Sequence, residues 1–211
     1  MKGRLVTLEG GEGAGKSTLL AGLRAHFERV GTDVVYTREP GGTPLGEAIR
    51  ALALDPAQRG ISAEAELLLM FAARAQLVRD VVRPALAAGR WVLSDRFIDA
   101  SYAYQGGGRG IDAARIAELE RIATAGLKPD LTLLLDLPVA AGRERASQRG
   151  GDADRIEAER DDFFERVRAT YRARATAEPA RFCVLDAAAP AATVLQAAVR
   201  AIDALRAKDA A

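Results

Sequence analysis

The chain has 211 residues, 30 Lys+Arg against 29 Asp+Glu for a net charge of +1, and 49% hydrophobic residues. At that length one compact domain buries about 70% of the surface its unfolded chain exposes, so no metal, disulfide or partner is needed merely to fold. Balanced charge excludes the positive field that a nucleic acid polymer or an anionic membrane demands, no apolar run nears the ~18 residues of a membrane span, and the single cysteine, Cys183, has no internal disulfide partner, so the chain reads as soluble and cytoplasmic.

In chain order, short apolar runs at 5–8, 34–36, 91–93, 131–135 and 182–185 are of strand length. Segments with 3.6-residue periodicity lie between and after them at about 16–30, 63–88, 112–125, 139–148, 158–177 and 193–208. The runs are apolar throughout, as a parallel sheet covered on both faces requires. The pattern predicts a single α/β domain over 1–211 with three layers, a parallel five-stranded sheet flanked by helices. Gly31 and Gly89 stand where left-handed residues end the helices before them. Cys183 is expected to be a small buried hydrophobe, and His26, the only histidine, to sit solvated on the polar face of the first helix. Ligands of such sheets collect at the carboxyl ends of the strands.

Directly after the first strand runs Gly10-Gly11-Glu12-Gly13-Ala14-Gly15-Lys16-Ser17-Thr18, which fits a phosphate-binding loop opening a helix. The glycines let the backbone turn tightly enough to aim successive N–H groups at phosphate oxygens, and the helix N-terminus adds its positive dipole end. Lys16 then reaches the β- and γ-phosphates, and the Ser17 hydroxyl can ligate Mg²⁺.

GTPase switches, ATP-driven machines and small kinases all use such a loop. Neither Asp-x-x-Gly nor Asn-Lys-x-Asp occurs in the chain, which demotes the switch reading, and the length leaves little room for a motor's accessory domain. A self-contained phosphotransferase fits better. The strand at 91–93 runs on into Asp95-Arg96, where Asp95 can hold a Mg²⁺-bound water and Arg96 can grip phosphate with two prongs. Asp136, after the strand at 131–135, is the competing metal-side carboxylate and ranks second. Arg149 and Arg155 flank a glycine-containing stretch that reads as a lid within about 143–156, able to lay cationic groups over a transferring phosphoryl group. Arg143 and Arg145 read as a solvated helix face.

Taken together, the loop Gly10 to Ser17, Thr37-Arg38-Glu39-Pro40-Gly41-Gly42-Thr43, Asp95-Arg96 with Ser101-Tyr102-Ala103-Tyr104-Gln105-Gly106-Gly107-Gly108-Arg109-Gly110, and Asp154-Arg155-Ile156-Glu157 resemble the bacterial thymidylate kinase family over almost the whole chain. The resemblance implies a P-loop kinase fold, a homodimer through the long helix 63–88, and transfer of the γ-phosphoryl group of ATP to dTMP with Mg²⁺, giving dTDP on the way to dTTP. It implies that residues 10–18 and Arg155 bind ATP and that Ser17 and Asp95 serve the metal. Arg38 and Arg96 would hold the acceptor phosphate and Glu12 the sugar 3′-hydroxyl. Phe71 would stack on the thymine ring, and Met70 is left as core. Arg74 and Ser101 would contact the base, Tyr104 and Gln105 would line the sugar side, and Tyr171 would close the nucleoside end. With Gly at position 13, the chain is similar to members that rely on lid arginines, which assigns charge stabilisation to Arg149 beside Lys16 and Arg96. The Glu39-Pro40 bond is a candidate for the cis form.

Overall fold

The computed structural model describes residues 2–58, 60–150 and 154–207. Among these, β1 (Leu5–Gly10), β2 (Val34–Arg38), β3 (Trp91–Asp95), β4 (Leu131–Asp136) and β5 (Phe182–Asp186) form one sheet in the order β2-β3-β1-β4-β5, parallel throughout. Each expected strand is present and runs one or two residues further at its carboxyl end. Those extra residues are Glu9, Gly10, Arg38, Asp95 and Asp136 among others, so the polar groups of interest gather at one edge of the sheet.

Continuous apolar strands succeed because both faces are covered. Val6, Leu8, Leu93, Leu133 and Leu135 meet Leu19, Leu23 and Phe27 of α1 (Lys16–Arg29) and Val194, Ala198 and Ile202 of α9 (Ala191–Ala207). On the opposite face Leu5 and Val92 meet Leu67, Phe71 and Leu77 of α3 (Ala63–Leu77) and Ile116 of α6 (Ala113–Thr124). Leu134 meets Phe163, Phe164, Val167 and Tyr171 of α8 (Asp161–Ala177). Burial of each such side chain contributes about 1.5–3 kcal/mol, which fixes the helix faces and hence the edge residues.

The long helix expected over 63–88 is α3, a π-helical turn at Val78–Val82 and α4 (Arg83–Ala87) in succession. The widened turn lies just before Pro84, which lacks an N–H and whose ring would strike the carbonyl four residues earlier in a regular helix. Gly31 and Gly89 take φ of 66° and 74°, as their placement predicted, and Glu39–Pro40 is cis.

Two elements were not expected. In α2 (Pro44–Leu54) Thr43 caps the start, accepting from the Gly46 N–H at 3.0 Å, and Pro44 occupies the first turn. Beyond β3, α5 (Ile98–Ser101) continues into a π-helical segment Tyr102–Gly108, although three successive glycines suggest a loop. Two expectations are corrected. His26 is 5% exposed, because α9 covers the face of α1 that faced solvent in the sequence reading; its ring nitrogens lie 2.8 Å from Arg29 Nη2 and 3.3 Å from Asp203 Oδ1. Cys183 is only half-buried, since β5 is an edge strand whose Val184 is exposed.

Candidate functional site

A cleft of about 1250 Å³ opens at the carboxyl edge of the sheet. Its floor is the loop between β1 and α1. Gly13 and Gly15 take φ of 69° and 91°, conformations that only glycine adopts without strain. Gly13 is further constrained by packing: a Cβ there would lie 2.0 Å from the carbonyl oxygen of Gly142 in α7 (Val139–Arg149). An arginine at position 13 would displace α7, which gives the glycine a structural reason.

The loop ends in the first-turn N–H groups of Lys16, Ser17 and Thr18, which in any helix lack an intrahelical acceptor and so favour an anion. Lys16 Nζ donates to the carbonyls of Gly11 at 2.9 Å and Gly10 at 3.2 Å. Burial, with Arg96 nearby, pushes its pKa down to about 8 against the pull of Glu12, Asp95 and Glu9. An ammonium so poorly compensated is primed to gain from a polyphosphate.

Beside the loop, β3 delivers Asp95 and Arg96. Asp95 Oδ1 is buried with no hydrogen-bond partner among the described residues, and the residue lines the cleft. Arg96 has φ of 68°, the left-handed region, and its Nη1 donates to the Gly10 carbonyl at 2.9 Å and to the Tyr171 hydroxyl at 3.2 Å. Nη2 lies 3.5 Å from Glu12 Oε2, and the guanidinium sits 4.8 Å above the Tyr104 ring. The alternative carboxylate, Asp136, is held two-pronged by Arg168 at 2.7 and 3.1 Å, so its charge is already answered.

The far wall is built by α3, the end of β2 and the segment after β3. Arg74 is 2% exposed and is fixed on every side. Nε donates to Glu39 Oε2 at 2.8 Å, Nη1 to Ser101 Oγ at 3.0 Å and Nη2 to the Phe97 carbonyl at 3.0 Å. Its guanidinium stacks 4.7 Å from the Phe71 ring, which is buried in the core, while Met70, expected to be plain core, lines the cleft. Glu39 Oε1 and Tyr104 Oη are buried without hydrogen-bond partners among the described residues, and both residues line the cleft. Gln105 lines it as well and donates Nε2 to Glu66 Oε1 at 2.8 Å. Arg38 is exposed at the mouth and donates to Glu47 Oε2 at 2.8 Å.

The structure thus brings residues 12–18, Arg38, Arg74, Asp95, Arg96, Ser101, Tyr104 and Gln105 into one cavity. Five others stand elsewhere, of which Gly10 and Gly11 line a small separate recess on the other side of the loop. Tyr171 is buried behind the loop, where its hydroxyl donates to Glu9 Oε2 at 2.7 Å, so it supports Arg96 from below. Phe71 backs Arg74, as described. Arg155 does not face the phosphate loop; it is bound to Glu66 and to the end of α2. Of the expected lid, Gly151, Asp152, Ala153 and the side chain of Arg149 lie outside the described residues.

Sequence reasoning missed Glu9, Glu66 and Arg145. Glu9 is fully buried and accepts from the Phe97 N–H at 2.8 Å as well as from Tyr171. Burial, then Asp99, pushes its pKa up to about 8. A carboxylate in an otherwise apolar strand was the available signal. Arg145 and Arg143 do lie on an exposed face, as expected, but each also reaches a partner. Arg145 lines the cleft and donates to the Ala187 carbonyl at 2.9 Å, while Arg143 donates to the carbonyls of Glu157 and Glu159 at 3.1 and 3.0 Å.

The thymidylate kinase family model matches residues 8–198. The chain is 59% identical to the thymidylate kinase of Chromohalobacter salexigens over 186 residues, 88% of each chain. It is 56% identical to that of Pseudomonas entomophila over 205 residues, covering 97% of this chain and 95% of the relative. Among solved structures it resembles the thymidylate kinase of Ehrlichia chaffeensis with a TM-score of 0.78 and 28% identity, over 96% of this chain and 99% of that one.

Proposed function

The chain belongs to the thymidylate kinase family, and from that premise we propose that it transfers the γ-phosphoryl group of ATP to dTMP, forming dTDP for dTTP synthesis. The observation that carries this reading is one continuous cleft with a phosphate cradle at one end and a buried, polar, base-sized wall of Arg74, Ser101, Tyr104 and Gln105 at the other, with Asp95 and Arg96 between. Two nucleotides laid end to end would meet at Arg96.

The acceptor phosphate is already an anionic nucleophile, so no general base is needed, and the chemistry rests on alignment and charge. Lys16 holds the β- and γ-phosphates. Arg96, pinned to Gly10 and Tyr171, fixes the acceptor phosphate beside them, and Arg38 exchanges Glu47 for that phosphate at the mouth. Arg149 is assigned to the charge that spreads over the transferring group. Glu12 orients the sugar 3′-hydroxyl, Phe71 backs the Arg74 guanidinium that faces the base, and Tyr104 crowds the 2′ position.

The chain also fits Mg²⁺. Asp95 Oδ1 is a buried oxygen lacking a partner among the described residues, Ser17 stands in the first turn of α1 and lines the same cleft, and Mg²⁺ that arrives on phosphates needs only one or two protein ligands. When bound, the ion neutralises phosphate charge. A homodimer and a cytoplasmic location complete the reading; no helix among the described residues is long and apolar enough to cross a membrane.

The test is ADP release from Mg·ATP with dTMP, dUMP, dCMP, AMP, GMP or thymidine, and with no acceptor. Strong turnover with dTMP and weaker turnover with dUMP is expected. Preference for another acceptor, or hydrolysis that ignores acceptors, overturns the assignment.

A further inference from the structure

Glu66 is a charged residue inside the wall of the cleft, with only 1% of its side chain exposed. Three donors converge on its carboxylate, none of them near it in sequence. Gln105 Nε2 reaches Oε1 at 2.8 Å, Arg109 Nε reaches Oε2 at 3.2 Å, and Arg155 Nη2 reaches Oε2 at 2.6 Å. Burial pushes the carboxyl pKa up, but these donors outweigh it and hold the pKa below its ordinary value, so the group is an anion. Arg155 is tied down twice more: Nε donates to the Ala53 carbonyl at 2.8 Å and its backbone N–H to that of Leu54 at 3.0 Å, at the carbonyl end of α2.

The segment that Arg155 anchors is itself a wall. Asp154, Ile156 and Glu157 line the cleft, and Asp154 Oδ1 accepts the N–H groups of Ile156 and Glu157 at 2.8 Å each, so the strip 154–157 is one turn. Gln105 lines the cleft from the other side. Glu66 is thus the joint between two walls. A buried ion cluster is a poor stability device, since well-packed apolar side chains do as well or better. What a shared carboxylate supplies that leucines do not is orientation. By taking the Gln105 amide N–H it fixes how that side chain is presented in the wall.

We infer that Glu66 is a positioning residue that couples the acceptor-side wall to the strip 154–157, so that dTMP affinity depends on the Arg155–Glu66 contact while ATP affinity does not. The inference rests on the proposed function. Among the described residues Lys16 bonds to loop carbonyls and Arg145 to the Ala187 carbonyl, away from the cluster, whereas the link from the strip to the phosphate loop runs from Glu157 to Glu12, the residue assigned to the acceptor's sugar, which is why the two affinities separate.

The experiment is steady-state kinetics of wild type, Glu66→Gln, Arg155→Ala, Arg155→Lys and the Glu66→Gln/Arg155→Ala double variant, with melting temperatures measured first. Each of Glu66→Gln and Arg155→Ala is expected to raise the dTMP KM about tenfold and leave the ATP KM within about twofold. The double variant should be no worse than the poorer single variant, because both cut one link. Arg155→Lys, which keeps a cation beside Glu66, should recover most of the affinity. If Glu66→Gln does not fold, the Arg155→Ala and Arg155→Lys pair decides alone. Equal rises in both KM values, an unchanged dTMP KM, or multiplying effects in the double variant overturn the coupling. A wild-type enzyme that turns over ATP without regard to dTMP overturns the functional reading, and this inference with it.

Discussion

Arg96 holds a backbone conformation that costs a non-glycine residue about 1–3 kcal/mol, and the reason is visible in its partners. The turn is fixed by the Ser94 hydroxyl donating to the Arg96 carbonyl at 2.6 Å and by the Arg96 N–H donating to Leu8 at 2.9 Å, which swings the guanidinium back over the phosphate loop. Beneath it stand Tyr171 and Glu9, a support that titrates. Unfolded, Glu9 ionises near 4.5; folded, burial first and Asp99 next raise this to about 8. Between those values the folded chain keeps a proton that the unfolded chain has released. The contribution of Glu9 to stability is therefore complete below pH 4.5 and lost as pH rises through 8. Calorimetry of wild type and Glu9→Gln from pH 5 to pH 8.5 should show the wild-type melting temperature falling relative to the variant; a constant difference removes Glu9 as the titrating group. Lys16 is the other residue with a decisive test. Among the described residues its Nζ hydrogen-bonds only loop carbonyls within six residues, so Lys16→Ala should keep the fold while turnover drops roughly a hundredfold or more. Near-normal turnover in the variant would remove Lys16 from phosphate binding.

At the scale of elements, the glycines at 106–108 show why a loop-like string forms part of a wall. A Cβ on Gly107 would lie 2.1 Å from Thr170 Oγ1 and 2.9 Å from the Arg166 carbonyl, and one on Gly108 would lie 2.4 Å from the Phe163 ring. Neither glycine is needed for a positive φ; each is needed because α8 passes so close. Arg166 secures the approach by donating to the carbonyls of Gly107 and Gly108 at 3.2 and 2.9 Å. Gly107→Ala should cost about 1–3 kcal/mol, read from the urea midpoint, and should raise the dTMP KM because Tyr104 and Gln105 ride on the same element. An unchanged midpoint would show that α8 yields. This is also where legibility in the sequence divides. The phosphate loop was readable because its chemistry is local: glycines, lysine and serine at fixed offsets between a strand and a helix. The five strands were readable because burial on both faces demands unbroken apolar runs. Helix α2 was hidden by Pro40, Gly41 and Gly42 just before it, although Thr43 and Pro44 form a cap that could have revealed it. Glu9, Glu66, Arg145 and Tyr171 were misread or missed because their partners lie 39 to 162 residues away, and no local pattern encodes such distances.

For the whole molecule, the proposed homodimer can be argued from the outer face of the long helix. Leu68 of α3 is 56% exposed, Leu45 and Leu52 of α2 and Ile122 of α6 are exposed as well, and α2 and α6 both pack against α3. With a net charge of +1 there is little long-range repulsion to keep two copies apart. The same helix carries Glu66, Met70 and Arg74 on its buried side, so a partner pressed on Leu68 would stiffen the acceptor wall from behind. Light scattering at micromolar concentration should therefore give twice the 22.4 kDa of one chain. Leu68→Glu should shift the protein towards the monomer, because a charge buried in an isologous contact meets its own copy near the two-fold axis. The monomer should then bind dTMP more weakly while its ATP KM stays close to that of wild type. A wild-type protein that scatters as a single chain removes the dimer. A Leu68→Glu monomer with an unaltered dTMP KM would leave the dimer standing but show that the acceptor wall is rigid without it, supported from within by the Glu66 cluster alone.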